Sequence, residues 1–574
     1  MRSSQLVFRT RREVPQDAEA ASHQLLVRGG YIRRLASGVY SFLPLGYLLL
    51  ERISAIVSEE FRNAEGNQVL LPALHPTEIW AATGRLAKMA DVLFRVESKA
   101  GSFVLGPTHE EAVIEAIAPD LASYRDLPAM VYQLQTKFRD EPRARFGLMR
   151  TREFIMADGY TFDADQEGMR IAYMKVYRAY QRMFERLGLL AVPVEADAGS
   201  IGGDVNHEFM VASAIGEDHF AECANCGYRA NIEAAVAGEF SVAEVPEIDG
   251  VTVYSTPGAP GVEIAIRALK EQGALVDDSA MLKCMVAVDD RGEPAILLIP
   301  GERTLKVPGG YTLAGEEIFG EGSIFCKGYV GPVGMRERGV QILADPSIRA
   351  RAWWATGNNV DGEHVVGVRI DRDFSVDDYR NLIVVEEGDP CPRCSAQLHL
   401  VRAVEVGHTF QLGLTYSSVL PHASFVDPEG ARQPYWMGCY GVGVTRLPAV
   451  IAEQFIGEGA TAVAWPVEVA PFEVAVVAAG RSAQAADAAE RLYQELLARG
   501  LRVLLEDRGL SFGNAMGDLE LIGPPFVVIA GAKVAAEGVV EVRDRLLGTV
   551  EQVALGSCGD RVEELRKAAV PIRR

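Results

Sequence analysis

The sequence predicts a multidomain protein of mixed α/β and α+β class. At 574 residues it is long enough for three or four domains, each burying its own core. Its last hundred residues alternate strand and helix: FEVAVVAA, AERLYQELLARG, LRVLLED, PFVVIAG and a final helix near Arg561 to Ala569, the pattern of an α/β domain. Earlier, two strand-like runs, VYQLQTKFRDE and RTREFIMAD, bracket a loop and precede IAYMKVYRAYQRMFERLGL, whose apolar residues recur at helical spacing.

Composition narrows the class of function. With 48% hydrophobic and 24% charged residues the chain reads as an ordinary soluble globular protein. It has no apolar run long enough for a membrane span, so no membrane partner is expected. The opening MRSSQLVFRTRREVPQD has basic residues but no apolar core, which predicts no signal peptide and a cytoplasmic location. A formal charge of -21 argues against coating nucleic acid by charge alone. Local basic grooves remain open, because screening confines each charge to roughly 10 Å. Four of the eight cysteines form two CxxC pairs, which read as metal ligands or redox thiols.

Along the chain, residues 17–62 read as helical: DAEAASHQLLVRGGYIRRLASG, then an apolar-periodic run from Tyr47 to Phe61. Val69 to Pro72 reads as a strand. At Asn231 the character shifts to an acidic, turn-rich stretch, and a mixed α/β segment runs to about Val385. The second CxxC pair follows, then strands from Val401 to Leu414 and a glycine-rich stretch ending in a helix; AWPVEVAP reads as a linker. The boundaries expected are 1–230, 231–385, 386–465 and 471–574.

TKFRDEPRARFGLMRTREFIMADGYTF concentrates Lys137, Arg139, Arg143, Arg145, Arg150 and Arg152 in an acidic protein. Strand alternation places Gln135, Lys137, Arg139 and Glu141 on one face, and Arg150, Arg152, Phe154, Met156 and Asp158 on one face of the second strand. Guanidinium forks match phosphate oxygens, and an aromatic ring among them can stack a base. A salt-bridged hairpin edge is the alternative for such a stretch taken alone.

FRDE followed by RTREF resembles motif 2 of the class II aminoacyl-tRNA synthetases. GCYGVGVTR resembles motif 3, and SGVYSFLPLGYLLLERI through LLPALHP resembles motif 1, ending at Pro72. LGPTHEE, EVGHTFQLG and ADAGSIGGDVNHEF are similar to bacterial-type prolyl-tRNA synthetases, and the resemblance spans nearly the whole chain. It implies a class II synthetase catalytic core built on an antiparallel sheet, an α/β editing insertion at 231–385 and an α/β anticodon-binding domain at 471–574. The implied activity is ATP- and Mg2+-dependent attachment of proline to tRNA(Pro) through prolyl-adenylate, in a homodimer built through motif 1. The rivals are a non-catalytic tRNA-binding paralogue and a stand-alone aminoacyl-tRNA deacylase.

By this resemblance Arg139 would hold the ATP α-phosphate and the amino-acid carboxylate, and Arg446 the γ-phosphate and one face of the base. Glu141 would accept from the adenine amino group, Phe154 would stack on adenine, and Arg150 and Gln411 would complete the nucleotide site. Thr108 and Glu110 match the loop that receives the imino group, with His408, Phe410 and Gly441 as pocket wall. Bringing two anions together needs preorganised cations rather than a side-chain nucleophile. Two departures stand out: Ala157 replaces a commonly basic residue, and Pro448 follows Arg446 closely enough to require that the helix has just begun.

In the insertion, Lys283, Gly328 and Gly331 of the GYVGP loop, Asp345 and His364 match residues of the editing domain that hydrolyses mischarged alanine. A pocket for proline discriminates against smaller alanine by only about 1–3 kcal/mol, which is why a second site is needed. Lys283 is alternatively a surface lysine, and Gly331-Pro332 simply a turn. Cys223, Cys226, Cys391 and Cys394 have the pairing of a tetrahedral structural zinc site, with free thiols as the alternative. Arg143 and Arg145 would meet the tRNA acceptor end, and Asp507, Arg508 and Glu520 the anticodon.

Overall fold

The computed structural model describes residues 1–7, 9–16, 18–197, 199, 201–203, 205–456, 462–480 and 482–569. ADAGSIGGDVNHEF and the last residues of the expected C-terminal domain therefore lie partly outside the described residues. The chain forms two compact units, one of 1–218 with 402–574 and one of 219–401. No described helix is long and apolar enough to cross a membrane.

The first unit is built on a sheet whose neighbouring strands are Asn67–Gln68, Ala129–Phe138, Glu153–Asp163, Trp436–Gly443, His399–Gly413, Val205–Ala212 and Ala191–Ala196. All neighbours are antiparallel except the first pair. The register aligns Leu134, Ala157 and Val442 on one face, with Tyr132, Gly159 and Tyr440 in the next row. This is the buried face: helices Pro44–Asn63 and Gln166–Arg186 cover it with Leu49, Ile53, Val57, Phe61, Val176, Tyr180 and Met183. Phe61 stacks on Tyr132 at 4.9 Å, and a Cβ on Gly159 would stand 2.6 Å from the Phe61 ring, so this row requires glycine. Ala157 is fully buried here, where a basic residue would lose its solvation. The opposite face carries Gln133, Asp158, Gly441 and His408 in one row across four strands.

Beyond this sheet, Val503–Glu506, Val474–Ala478 and Phe526–Ala530 run parallel, and Val539–Asp544 and Thr549–Ala554 add an antiparallel pair. Helices Ala483–Ala498 and Cys558–Ala568 cover them. The second unit holds a five-stranded sheet around the hairpin Leu282–Asp289 and Pro294–Pro300, a three-stranded sheet of Thr252–Ser255, Glu363–Val368 and Trp354–Gly357, and helix Val262–Glu271.

Several expectations change. Within residues 17–62 the helix stops at Arg28, and Ile32–Ala36 pairs with Val39–Phe42 as a hairpin before helix Pro44–Asn63 begins. Alternation in IRRLASGVYSF and Gly38 at φ +72° suit a turn better than a helix. Val69 to Pro72 is not a strand. Its chain runs beside Ala129–Phe138, but the Gln133 and Gln135 side-chain amides bond the Leu71 backbone at 2.9 and 2.5 Å, replacing ladder bonds. Ala464 to Pro471 is no exposed linker, since Trp465, Val469 and Ala470 are fully buried. Glu141, Arg150 and Arg152 lie outside the strands Ala129–Phe138 and Glu153–Asp163, in the connection between them. Pro448 is the second residue of helix Leu447–Phe455, where its missing N–H costs nothing.

Candidate functional site

The functional face of the first unit's sheet begins with Arg139, one residue past its strand. Its guanidinium carbon lies 5.3 Å from the Phe154 ring centroid, and Nη2 donates to the Pro107 carbonyl at 3.4 Å. Its Nε has no hydrogen-bond partner among the described residues. Burial lowers the Arg139 pKa, opposed by Glu405 and Glu141 and reinforced by Arg446. A desolvated, incompletely paired guanidinium is a receptor for an anion.

Arg446 follows the glycine-rich strand and donates from Nη1 to the Glu405 carbonyl at 2.6 Å. Glu405 and His408 are three apart, which in a regular strand would put them on opposite faces. A register shift opposite Phe209 and Met210 re-aims Glu405, so that its carboxylate lies 3.5 Å from His408 Nδ1. Burial raises the Glu405 pKa, but His408, Arg446 and Arg139 outweigh it and hold it near 2. Glu208, Glu405 and His408 bring three ligand atoms within 4.8 Å of one another. His408 also stacks on Phe410, with centroids 3.8 Å apart. Gln411, half-buried, falls on the opposite face by strand alternation, away from these two rings.

Glu110, the first residue of helix Glu110–Ile117, is fully buried. It accepts from Thr108 Oγ1 at 2.7 Å, Arg85 Nη1 at 2.9 Å and Cys439 Sγ at 3.1 Å. Between Asp158 and His408 lies bare Gly441, whose added Cβ would meet only Met156, at 3.4 Å and beyond, within 4 Å. Glu110 therefore lies against Cys439, the strand partner of Phe410, and close enough to Arg139 to act on its charge.

Glu141 accepts Arg150 Nε at 2.8 Å, and Arg150 and Arg145 both pair with Glu217. The loop's charge is thus partly neutralised within the protein, leaving Arg143 exposed at its tip. Asp507 accepts the Ser4 N–H and hydroxyl at 2.8 and 2.6 Å, Arg508 pairs with Glu506 and Asp518, and Glu520 is exposed.

In the second unit, Lys283 Nζ donates to the Arg303 carbonyl at 2.7 Å. His364 is buried with Nδ1 2.6 Å from Thr256 Oγ1. The backbone of Gly331 closes on Gly357, whose strand position pairs with His364; a Cβ on Gly331 would stand 1.9 Å from the Gly357 carbonyl oxygen. Gly328 has φ +82° and packs on Pro260. Asp345 caps the turn Pro346–Ala350, accepting from Ser347 N–H at 2.9 Å and Leu382 N–H at 2.7 Å, so both oxygens serve the backbone. Gly331 and His364 therefore come together, while Asp345 is engaged in holding its own turn.

The four paired cysteines converge. Cys223 and Cys394 sulfurs lie 3.5 Å apart, Cys226 and Cys391 sulfurs 3.6 Å apart, and all four within 4.8 Å. Sequence reasoning missed Thr83, Arg85, Glu111 and Glu208, and gave no role to Lys137 and Asp158. Lys137 Nζ is buried 2.8 Å from Asp158 and 2.6 Å from His109 Nδ1. GRLAK carries no spacing that announces Arg85; only the fold brings it to Glu110.

Two family models match the chain: the tRNA synthetase class II core domain (G, H, P, S and T) over residues 94–455, and an anticodon binding domain over 473–565. Among curated proteins, the proline--tRNA ligase of Streptomyces griseus is 42% identical over 569 residues, covering 96% of this chain and 97% of that protein. The proline--tRNA ligase of Geotalea daltonii is 39% identical, covering 99% of this chain and all of that protein. Among solved structures, prolyl-tRNA synthetase from Cryptosporidium parvum, complexed with halofuginone and AMPPNP, shares the fold with a TM-score of 0.58 at 12% identity, covering 95% of this chain and 77% of that one.

Proposed function

This chain belongs to the proline--tRNA ligase family of class II tRNA synthetases, an enzyme family using ATP and Mg2+ to attach proline to tRNA, and we propose that it works through prolyl-adenylate formed between Arg139 and Glu110. The observation that carries this reading is bare Gly441 in the sheet row Gln133–Asp158–Gly441–His408, with the incompletely paired Arg139 guanidinium one residue past a strand of that sheet and the buried Glu110 carboxylate bonded to Cys439 beside it. Proline's secondary ammonium would meet Glu110 and Thr108, and its ring would lie over Gly441 beside Phe410 and His408. Arg139 would draw the carboxylate and the α-phosphate together, with Phe154 beneath adenine and Arg446 toward the γ-phosphate. Glu141 would meet the adenine amino group while Arg150 holds it in place. Glu208 and Glu405, which with His408 bring three ligand atoms together, offer the hard oxygen donors that would hold Mg2+, and the ion would supply charge neutralisation for the phosphates. Arg143 and Arg145 on the exposed loop would meet the tRNA acceptor end, and the domain at 471–574 the anticodon. Exposed Leu35, Tyr47, Leu70 and Leu74, within the segment that resembles motif 1 or next to it in sequence, support a homodimer through this segment. The enzyme works in the cytoplasm.

The second unit is an editing domain for mischarged alanyl-tRNA(Pro), with the Gly328–Gly331 loop and His364 forming its site. Asp345 acts there by fixing the Pro346–Ala350 turn. Replacing Lys283 or His364 with Ala should lower hydrolysis of alanyl-tRNA(Pro) at least tenfold and leave proline-dependent pyrophosphate exchange unchanged. Unchanged deacylation in both variants would remove the editing role.

The four cysteine sulfurs fit zinc. A tetrahedron with Zn–S bonds of about 2.3 Å has edges near ~3.8 Å, close to the spacings found here. Bound zinc would tie the CANC and CPRC knuckles together within this unit. Elemental analysis should find one zinc per chain, lost in Cys226→Ser with a lower unfolding temperature but intact pyrophosphate exchange; metal-free native enzyme would favour free thiols.

A further inference from the structure

Arg85 is an interior residue whose side chain retains 4% of its exposure. Its Nη1 donates to Glu110 Oε2 at 2.9 Å and to Glu111 Oε2 at 3.0 Å. Both carboxylates are fully buried, so two adjacent acids share one guanidinium nitrogen. Nε and Nη2 of Arg85 have no hydrogen-bond partner among the described residues. The guanidinium instead lies against aromatic rings, 4.9 Å from the Trp80 centroid and 5.4 Å from that of Tyr416. Thr83 Oγ1 donates to Glu111 Oε1 at 2.7 Å, an oxygen that also accepts from Arg85 Nη1 at 3.2 Å.

The neighbouring charges do not correct the imbalance. Lys137 is committed to Asp158. His109 Nε2 faces the Pro72 carbonyl at 2.9 Å and donates to it, so Nδ1 is free to accept from Lys137 and the ring is neutral. His75 makes the same contact with that carbonyl, and burial holds its pKa near 4. The two acids respond differently to their surroundings. Burial raises Glu110, but Arg85, Thr108 and Cys439 outweigh it and hold its pKa below the ordinary value. Burial dominates at Glu111 and, with Glu110 adding to it, raises its pKa against Arg85. A second buried carboxylate beside the first is costly for the free protein.

We propose that Arg85 and Glu111 are positioning residues of the amino-acid pocket, and that the shared guanidinium leaves the two acids one positive charge short, a deficit the substrate's secondary ammonium fills. The inference rests on Glu110 receiving that ammonium. Arg85 orients Glu110, and Glu111 keeps Arg85 from neutralising it in full. A cationic amine is therefore favoured by the charge of two carboxylates while touching one.

Glu111→Gln tests this, because it keeps the shape and an acceptor for Thr83 while removing the second charge. KM for proline in pyrophosphate exchange should rise roughly 10- to 50-fold, the scale of one buried charge several ångströms from the ligand. The kcat and the KM for ATP should stay within twofold, and the unfolding temperature should hold or rise. An unchanged proline KM, a protein that fails to fold, or a fall in unfolding temperature together with kcat would overturn the inference, since each marks Glu111 as a packing residue. Glu110→Gln separates the two readings. If it leaves the proline KM unchanged, Glu110 is not the ammonium acceptor. If it raises that KM and Glu111→Gln does not, the shared-charge inference alone fails.

Discussion

Replacing Arg139 with Gln should reduce proline-dependent pyrophosphate exchange on the order of 10³-fold or more in kcat, the scale at which a charge-stabilising arginine contributes to phosphoryl-transfer chemistry. The carboxylate and the α-phosphate repel each other as they approach. Arg139 stands at the junction with its Nε unpartnered and its Nη2 on a long bond to Pro107. The same features predict the stability outcome. A half-buried guanidinium whose Nε is enclosed and unpartnered costs the free protein desolvation energy, so its removal should leave the unfolding temperature unchanged or raise it. Loss of activity with a preserved transition, followed by calorimetry, separates a catalytic role from a scaffold role. A variant retaining a tenth of normal kcat would exclude Arg139 from the chemical step.

Glu110→Gln should lower kcat/KM for proline by about 10²- to 10³-fold while leaving the KM for ATP within a few-fold. Breaking a buried charge pair costs roughly 2–5 kcal/mol, and Glu110 is the carboxylate that Thr108 and Cys439 hold in place for proline's ammonium. The fold should survive, because Arg85 keeps Glu111 as its ionic partner. Direct proline binding by titration calorimetry checks the effect without depending on turnover. Equal affinity in the variant and the parent would move the amino-acid site away from Glu110.

Sequence reading reached the hairpin, the glycine-rich strand and the cysteine pairs because each is local: alternation, bare backbone and CxxC spacing are visible within a few residues. It also placed Phe154, Met156 and Asp158 on one face, which the register with Lys137, Gln135 and Gln133 supports. It failed where the fold joins distant segments. Arg85 meets Glu110 and Glu111 because its side chain reaches the start of helix Glu110–Ile117, and no period relates the two segments. Glu405 turns toward His408 through a one-residue bulge that no propensity marks. IRRLASGVYSF read as helix because its apolar spacing is ambiguous over so short a run, and the turn at Gly38 decided for a hairpin. The Val539–Asp544 and Thr549–Ala554 strands went unread because each is only six residues long and Thr549–Ala554 is mostly exposed, leaving few apolar positions to show the alternation.

The most direct test of the central claim is amino-acid-dependent pyrophosphate exchange with ATP, without tRNA, comparing proline, alanine, threonine and glycine. Strong exchange with proline and weak exchange with alanine is the predicted result, establishing proline activation and the misactivation that a second site would have to correct. No exchange with proline, or exchange with threonine in its place, would contradict the account.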